Sequence, residues 1–199
     1  AERGSILPFN HPPFEAFFFL PFVTVPYIWA YYLFLALNLA LLVGLVKLLR
    51  QSLPRLGQLP FWFWMLACLG FAPIFVALIQ GQDSIFLLGC YVVALFAVEK
   101  DRDFLAGCAL ALGLCKFHLL LPFVVPFFVF GRKKVIAGFL TVAAMLGLIG
   151  FFAVGWNGLM RYPAFVWHAE HSTRYHWNVL HGDTPNLRGT FLTLAKGAD

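Results

Sequence analysis

The sequence predicts an all-α polytopic membrane protein, a bundle of transmembrane helices with short re-entrant or half-length members around an outward-opening cavity. Three observations carry this reading. The 199 residues are 61% hydrophobic and 12% charged, with mean hydropathy +0.83, whereas a soluble domain carries about 25% charged residues. The 24 phenylalanines, 6 tryptophans and 6 tyrosines suit lipid-facing helices and interfacial belts. Finally, one cation, Lys116, stands alone in the apolar run from Phe104 to Phe130.

Residues 1–13 are polar and end in Asn10-His11-Pro12-Pro13, a turn that cannot begin inside a helix. Phe14–Pro26 is apolar but short, and Pro21 and Pro26 punctuate it, so an interfacial or re-entrant segment is expected. A first span is expected at Tyr27–Val46, ending in Lys47 and Arg50. A second, Phe61–Ile79, opens on Phe61-Trp62-Phe63-Trp64 and carries Pro73, a kink point. A third, Ser84–Val98, is short. Half-length helices Phe104–Cys115 and Leu119–Phe130 flank Lys116, and Val135–Val154 closes the series. A polar, aromatic tail runs from Gly155 to Asp199. No internal repeat is present, and the chain reads as one transmembrane domain, an interior fragment of a longer protein.

The basic residues set the orientation. Lys47, Arg50 and Arg55, then Lys100 and Arg102, then Arg132, Lys133 and Lys134 make eight of the fourteen. Three short loops hold them, and the positive-inside rule assigns such loops to the cytoplasm. A net charge of +5 arranged in this way orients helices and gives no footing for nucleic acid. The run between the last two basic clusters must then leave and return on one side. Lys116-Phe117-His118 is its only polar turning point, so the lysine marks a hairpin tip. Two helices of about 12 residues cannot cross a bilayer about 30 Å thick, so that tip lies in a cavity. His11, Gln82, Asp83 and the tail fall on the same outer side.

An ionisable group inside the membrane is a functional candidate by default. The Lys116 ammonium suits a phosphate, or it snorkels to the outer interface. His118 either assists or is merely interfacial. Asp83 or Ser84 would cap the third span, and Gln82 and Asp83 are also candidate ligands there, because a helix start favours anions. The tail holds His168, His171, His176 and His181, but no HExxH pattern and no converging ligand set. No cofactor or metal site is expected, and a requirement for a divalent metal is left open. Cys68, Cys90, Cys108 and Cys115 lie in apolar spans without CxxC spacing and read as small buried hydrophobes.

Asn10-His11-Pro12-Pro13-Phe14, Gly81-Gln82 opening a short span, and Gly107 followed by Lys116 resemble glycosyltransferase family 87. So do Tyr162 after the last span and Pro185-Asn186-Leu187-Arg188-Gly189 in the tail. The resemblance implies an integral-membrane hexosyltransferase with a GT-C-like helix bundle, multi-pass in the plasma (inner) membrane, its site on the periplasmic or extracellular side. It implies a polyprenyl-phosphate hexose donor, mannose first, and an envelope glycolipid or glycan acceptor, with membrane lipid as the surroundings. Substrate contacts are expected from Lys116, His118, Gln82, Asp83, Asn10, His11 and Arg188. The catalytic carboxylate is expected in an outer loop upstream of this chain. The competing class is a transporter or channel for an anionic or lipid-linked substrate, whose broken helices also aim their ends at a ligand.

Overall fold

The computed structural model describes residues 11–171, and every regular element among them is helical. The protein is an all-α, polytopic membrane protein. The described residues divide into two compact units at Gly155, residues 11–155 forming one and residues 156–171 belonging to the other. The functional residues described below lie in the unit 11–155.

Pro12 opens a 3-10 turn, Pro13–Glu15, which passes into α1 (Ala16–Phe19) and a second 3-10 turn, Leu20–Phe22. Pro13 and Pro21 sit in first turns, where a missing N–H leaves no bond unmade. Pro26 adopts extended backbone and starts α2 (Tyr27–Ser52), a helix about 39 Å long. It continues past Val46, the expected end, through Lys47 and Arg50, whose charges suit a helix C-terminus. Arg50 Nη2 donates to the carbonyls of Gly57 (3.1 Å) and Leu59 (3.0 Å), tying α3 (Pro54–Gly57) to the end of α2.

The expected kinked span Phe61–Ile79 is instead two helices, α4 (Phe61–Gly70) and α5 (Ala72–Ile79), bent by 74°. The break falls at Phe71, which is extended (ψ 109°), while Pro73 occupies the first turn of α5. Pro73 has no N–H to give the carbonyl four residues back and its ring crowds that carbonyl. Gly70 is in addition a poor helix former. The chain therefore stops one helix and starts another.

α6 (Ser84–Glu99) rises about 24 Å. α7 (Asp103–Leu112) and the 3-10 turn Gly113–Lys116 run back beside it for about 23 Å, and α8 (Phe117–Val129) follows. By length and composition, Asp103–Val129 could cross a membrane, as could Tyr27–Ser52 and Lys133–Trp167, with the bent α4–α5 pair a fourth candidate. A straight helix from Asp103 would carry Arg132 about 40 Å away. Yet Arg132 Nη1 lies 3.4 Å from Asp103 Oδ2. The chain therefore reverses at Gly113–Lys116. Tyr91 on α6 holds the returning arm, donating to the Leu119 carbonyl at 2.8 Å and packing on Phe123 with ring centroids 4.3 Å apart.

α9 (Lys133–His171) starts beside the beginning of α7 and is broken at Gly155, where φ is 68°. Gly107 and Gly138 let α7 and α9 touch backbone to backbone. One buried cluster joins Leu87, Ala94, Leu110, Leu120, Val124 and Val135; another joins Leu42, Leu45, Leu78, Ile85 and Val92. Small residues and close approach suit a bundle in lipid, where van der Waals packing replaces the hydrophobic effect as the force between helices.

α2 and α6 run in the same direction, with Leu41 and Leu45 of α2 around Gly89 of α6. At their starting ends Tyr31 donates to the Ile79 carbonyl at 2.9 Å, and Gly81 (φ 62°) turns beneath the Tyr31 ring. Lys116 reaches that same end. Lys47, Arg50, Lys100, Arg102 and Arg132 belong to the opposite ends of these helices.

Candidate functional site

Three segments meet at the polar end of the bundle. The Pro12-Pro13 turn sets His11 and Glu15 four residues apart, with His11 Nδ1 3.0 Å from Glu15 Oε1 and 3.1 Å from Oε2. Glu15 is 2% exposed. The α5–α6 loop supplies Gln80, Gln82, Asp83 and Ser84, its turn closed by the Gln82 N–H on the Ala77 carbonyl at 2.8 Å. The hairpin tip supplies Lys116.

Asp83 occupies the N-cap position of α6, but its side chain makes no capping bond. Its Oδ1 instead pairs with Lys116 Nζ at 2.7 Å. The ammonium also donates to Ser84 Oγ at 2.7 Å, Ser84 Oγ donates to Gln82 Oε1 at 3.2 Å, and Gln82 Nε2 donates to Gln80 Oε1. Asp83 Oδ2 is buried and has no hydrogen-bond partner among the described residues. One ligand-capable atom from each of His11, Glu15 and Asp83 falls within 4.8 Å of the other two.

The hydrogen bond to Glu15 holds the His11 imidazole above its ordinary range, against an opposing effect of burial. Burial raises the Glu15 carboxyl, and His11 partly offsets this. A proton shared by this pair is therefore held more tightly than either group would hold one in water.

Beside the polar residues lies a cavity of about 200 Å³. Phe18, Phe19, Phe22, Phe34 and Phe86 wall it, and Glu15, Asn38 and Asp83 give it a polar end. Asn38 is buried in the middle of α2 and satisfies its amide on its own helix, Nδ2 donating to the Phe34 carbonyl at 3.0 Å. A second cavity of about 170 Å³, lined by Gly89, Cys90 and Ala109 among others, shares Leu41 and Phe86 with the first. The pair thus follows α6 away from the charged end.

Four of the residues expected from the sequence, Lys116, Asp83, Gln82 and His11, lie at this end. His118 does not join the network: it is exposed and stands edge-on to the Phe117 ring, centroids 5.6 Å apart. The helical turn that aims Lys116 inward turns its second neighbour outward. Asn10, Arg188, His176, His181 and the Pro185–Gly189 stretch lie outside the described residues. Sequence reasoning missed Glu15 and Asn38. Glu15 is an acid inside an apolar segment, four residues after a histidine, and that combination is itself a signal. Asn38 is likewise an amide in an otherwise apolar span.

The profile of glycosyltransferase family 87 matches residues 9–196. A polyprenol-phosphate-mannose-dependent alpha-(1-2)-phosphatidylinositol pentamannoside mannosyltransferase of Mycobacterium tuberculosis (strain CDC 1551 / Oshkosh) is 26% identical over 147 residues, covering 72% of this chain. The match takes in 33% of that protein, so the chain spans about a third of the relative's length. No solved structure matches.

Proposed function

Because this chain belongs to glycosyltransferase family 87, we propose that it acts as a membrane-embedded glycosyltransferase. In this reading it moves a hexose, mannose first, from a polyprenyl-phosphate donor to a glycolipid or glycan acceptor at the outer face of the plasma membrane. The observation that carries the reading is the position of Lys116, an ammonium paired with Asp83, which lines the polar end of a phenylalanine-walled cavity. A lipid phosphate joined to a long apolar chain needs both in that order.

Breaking the anomeric bond builds negative charge on the departing phosphate and oxocarbenium character on the sugar. A fixed cation aimed at the phosphate stabilises that state. Two of the three ammonium hydrogens of Lys116 go to Asp83 and Ser84. These bonds fix the stem and leave one N–H direction for a phosphate oxygen. Gln82, held by Ser84, and Asn38 within the cavity are placed to meet sugar hydroxyls. The linked cavities along α6 suit the first isoprene units of the donor.

The clustering of basic residues at the opposite helix ends supports an outward-facing site. The acceptor hydroxyl needs a base, which the family resemblance leads us to expect in an outer loop. Proteoliposomes carrying the full-length protein, a radiolabelled polyprenyl-phosphate hexose and envelope glycolipid acceptors test the proposal. Label transfer that is largest with mannose is expected. Uptake of intact donor into the lumen without glycosidic transfer would establish a transporter instead.

A further inference from the structure

We propose that His11, Glu15 and Asp83 form a binding site for one divalent transition-metal cation, Zn²⁺ before others, beside the Lys116 ammonium. The inference does not depend on the transferase reading. It begins with charge. Glu15 and Asp83 bring two carboxylates to an apolar, phenylalanine-walled pocket, and Lys116 brings one fixed positive charge. An uncompensated buried charge is costly; without metal, the proton shared by His11 and Glu15 supplies the second positive charge, and a bound cation would take that proton's place.

Geometry selects where that charge goes. Lys116 is bonded to Asp83 Oδ1, while Oδ2 of the same carboxylate is buried without a hydrogen-bond partner among the described residues. Both Glu15 oxygens are spent on a single His11 nitrogen, at 3.0 and 3.1 Å. A carboxylate offers about four lone-pair positions, so Glu15 has unused accepting capacity in a place that water scarcely reaches. The three residues come from two separate segments, the Pro12-Pro13 turn and the α5–α6 loop, and present atoms no more than 4.8 Å apart. Tetrahedral ligands at about 2.1 Å from a common ion stand about 3.4 Å from one another, so the three groups close by up to about 1.4 Å to seat the ion.

The donor set identifies the ion's class. One imidazole and two carboxylates favour Zn²⁺ over Mg²⁺ or Ca²⁺, which prefer all-oxygen sites. Three protein ligands leave a fourth position open, the arrangement of zinc sites that bind a water or an anion. Asp83 then holds the ammonium on one oxygen and the metal on the other. An anion entering the cavity meets two cations side by side.

Metal content of the purified full-length protein in detergent tests this. Protein stripped with a chelator is incubated with Zn²⁺, freed of unbound metal and analysed by elemental mass spectrometry. Co²⁺ titration followed by visible absorption reports the ligand geometry. One equivalent of Zn²⁺ per chain is expected, with intense tetrahedral Co²⁺ bands, and a 1000-fold excess of Mg²⁺ should not displace it. Glu15→Gln and His11→Ala should each weaken binding by tenfold or more. His11 is partly exposed, so its replacement keeps the test valid where Glu15→Gln fails to fold. Absence of bound metal overturns the proposal, as does a stoichiometric site unchanged in both variants. A site lost only on replacing His168, His171, His176 and His181 also overturns it.

Discussion

Gly107 and Gly138 lie against each other's helices so closely that neither position has room for a side chain. A Cβ on Gly107 would stand 1.9 Å from the Val135 carbonyl oxygen, and one on Gly138 would stand 2.0 Å from that of Phe104. Cys108 Sγ approaches the Gly138 carbonyl at 3.7 Å in the same contact. The obstacles are backbone atoms of helices, which cannot swing aside. Gly107→Ala or Gly138→Ala should therefore force α7 and α9 apart and destabilise the bundle by about 1–3 kcal/mol, the usual cost of overpacking. Gly147→Ala, where nothing lies within 4 Å, serves as the control. Thermal unfolding in detergent, read by size-exclusion recovery, should separate the first two variants from the third; equal stability of all three would contradict the contact.

Replacing Lys116 removes a charge and strands its partner. Lys116→Met should lower hexose transfer by about 100-fold or more, the scale of losing one transition-state electrostatic contact. It should also destabilise the fold, because Asp83 is left without its ion pair. Asp83→Asn in the same chain should recover much of the stability and none of the transfer. Transfer at the normal rate in Lys116→Met would rule out the phosphate contact. Full recovery of transfer in the double variant would make the lysine structural.

The His11–Glu15 pair gives a pH dependence of defined sign. The ordinary values of the two groups are 6.5 and 4.5, and the fold raises both. A raised value means that the folded state binds protons more tightly, so the stabilisation is present at low pH and fades as pH climbs through the folded values. Asp83 on α6 adds to the rise and Lys116 at the hairpin tip opposes it. In chelator-treated protein, the unfolding temperature should fall as pH goes from about 6 to about 8. Relative to that fall, His11→Ala should show a flatter profile. Parallel profiles for the two proteins would show that the pair does not titrate in this range.

The placement of the hairpin tip can be read chemically. With Cys68, Cys90, Cys108 and Cys115 replaced, Phe117→Cys should react with a membrane-impermeant thiol reagent added from outside intact cells. A cysteine at position 133, beside the Asp103–Arg132 pair, should react only after the membrane is opened. The reverse pattern would invert the orientation.

The sequence exposed some of this site more readily than the rest, for physical reasons. A charge deep in an apolar run is expensive, which made Lys116 conspicuous, and short basic loops marked which helix ends belong together. Glu15 carries an equal penalty but stands near a polar stretch, where the expense is harder to see. That Asp83 serves Lys116 and not its own helix start depends on α6 and α7 having matching lengths, a tertiary fact that no local pattern encodes. The same holds for the break at Phe71: Pro73 announces a disturbance, but whether the chain bends slightly or turns through 74° depends on how Gly70 and the neighbouring helices respond. The half-length hairpin called for a cavity at its tip, but which side chains wall the two cavities depends on distant segments and was not legible in the chain.

The matched rise of α6 and of the returning α7 with its 3-10 turn makes the pair a molecular ruler. The short turn between them, closed by the Arg102 N–H on the Ala97 carbonyl at 2.8 Å, pins the zero of the scale, and the count of residues brings Lys116 level with Ser84. One helical turn added to α7 would lift the ammonium about 5 Å beyond its carboxylate, while the same turn added to both arms of the α6–α7 pair would preserve the register. Depth in the membrane and charge pairing are therefore set by one length. A chain of this design can change its hydrophobic thickness only by altering both helices together.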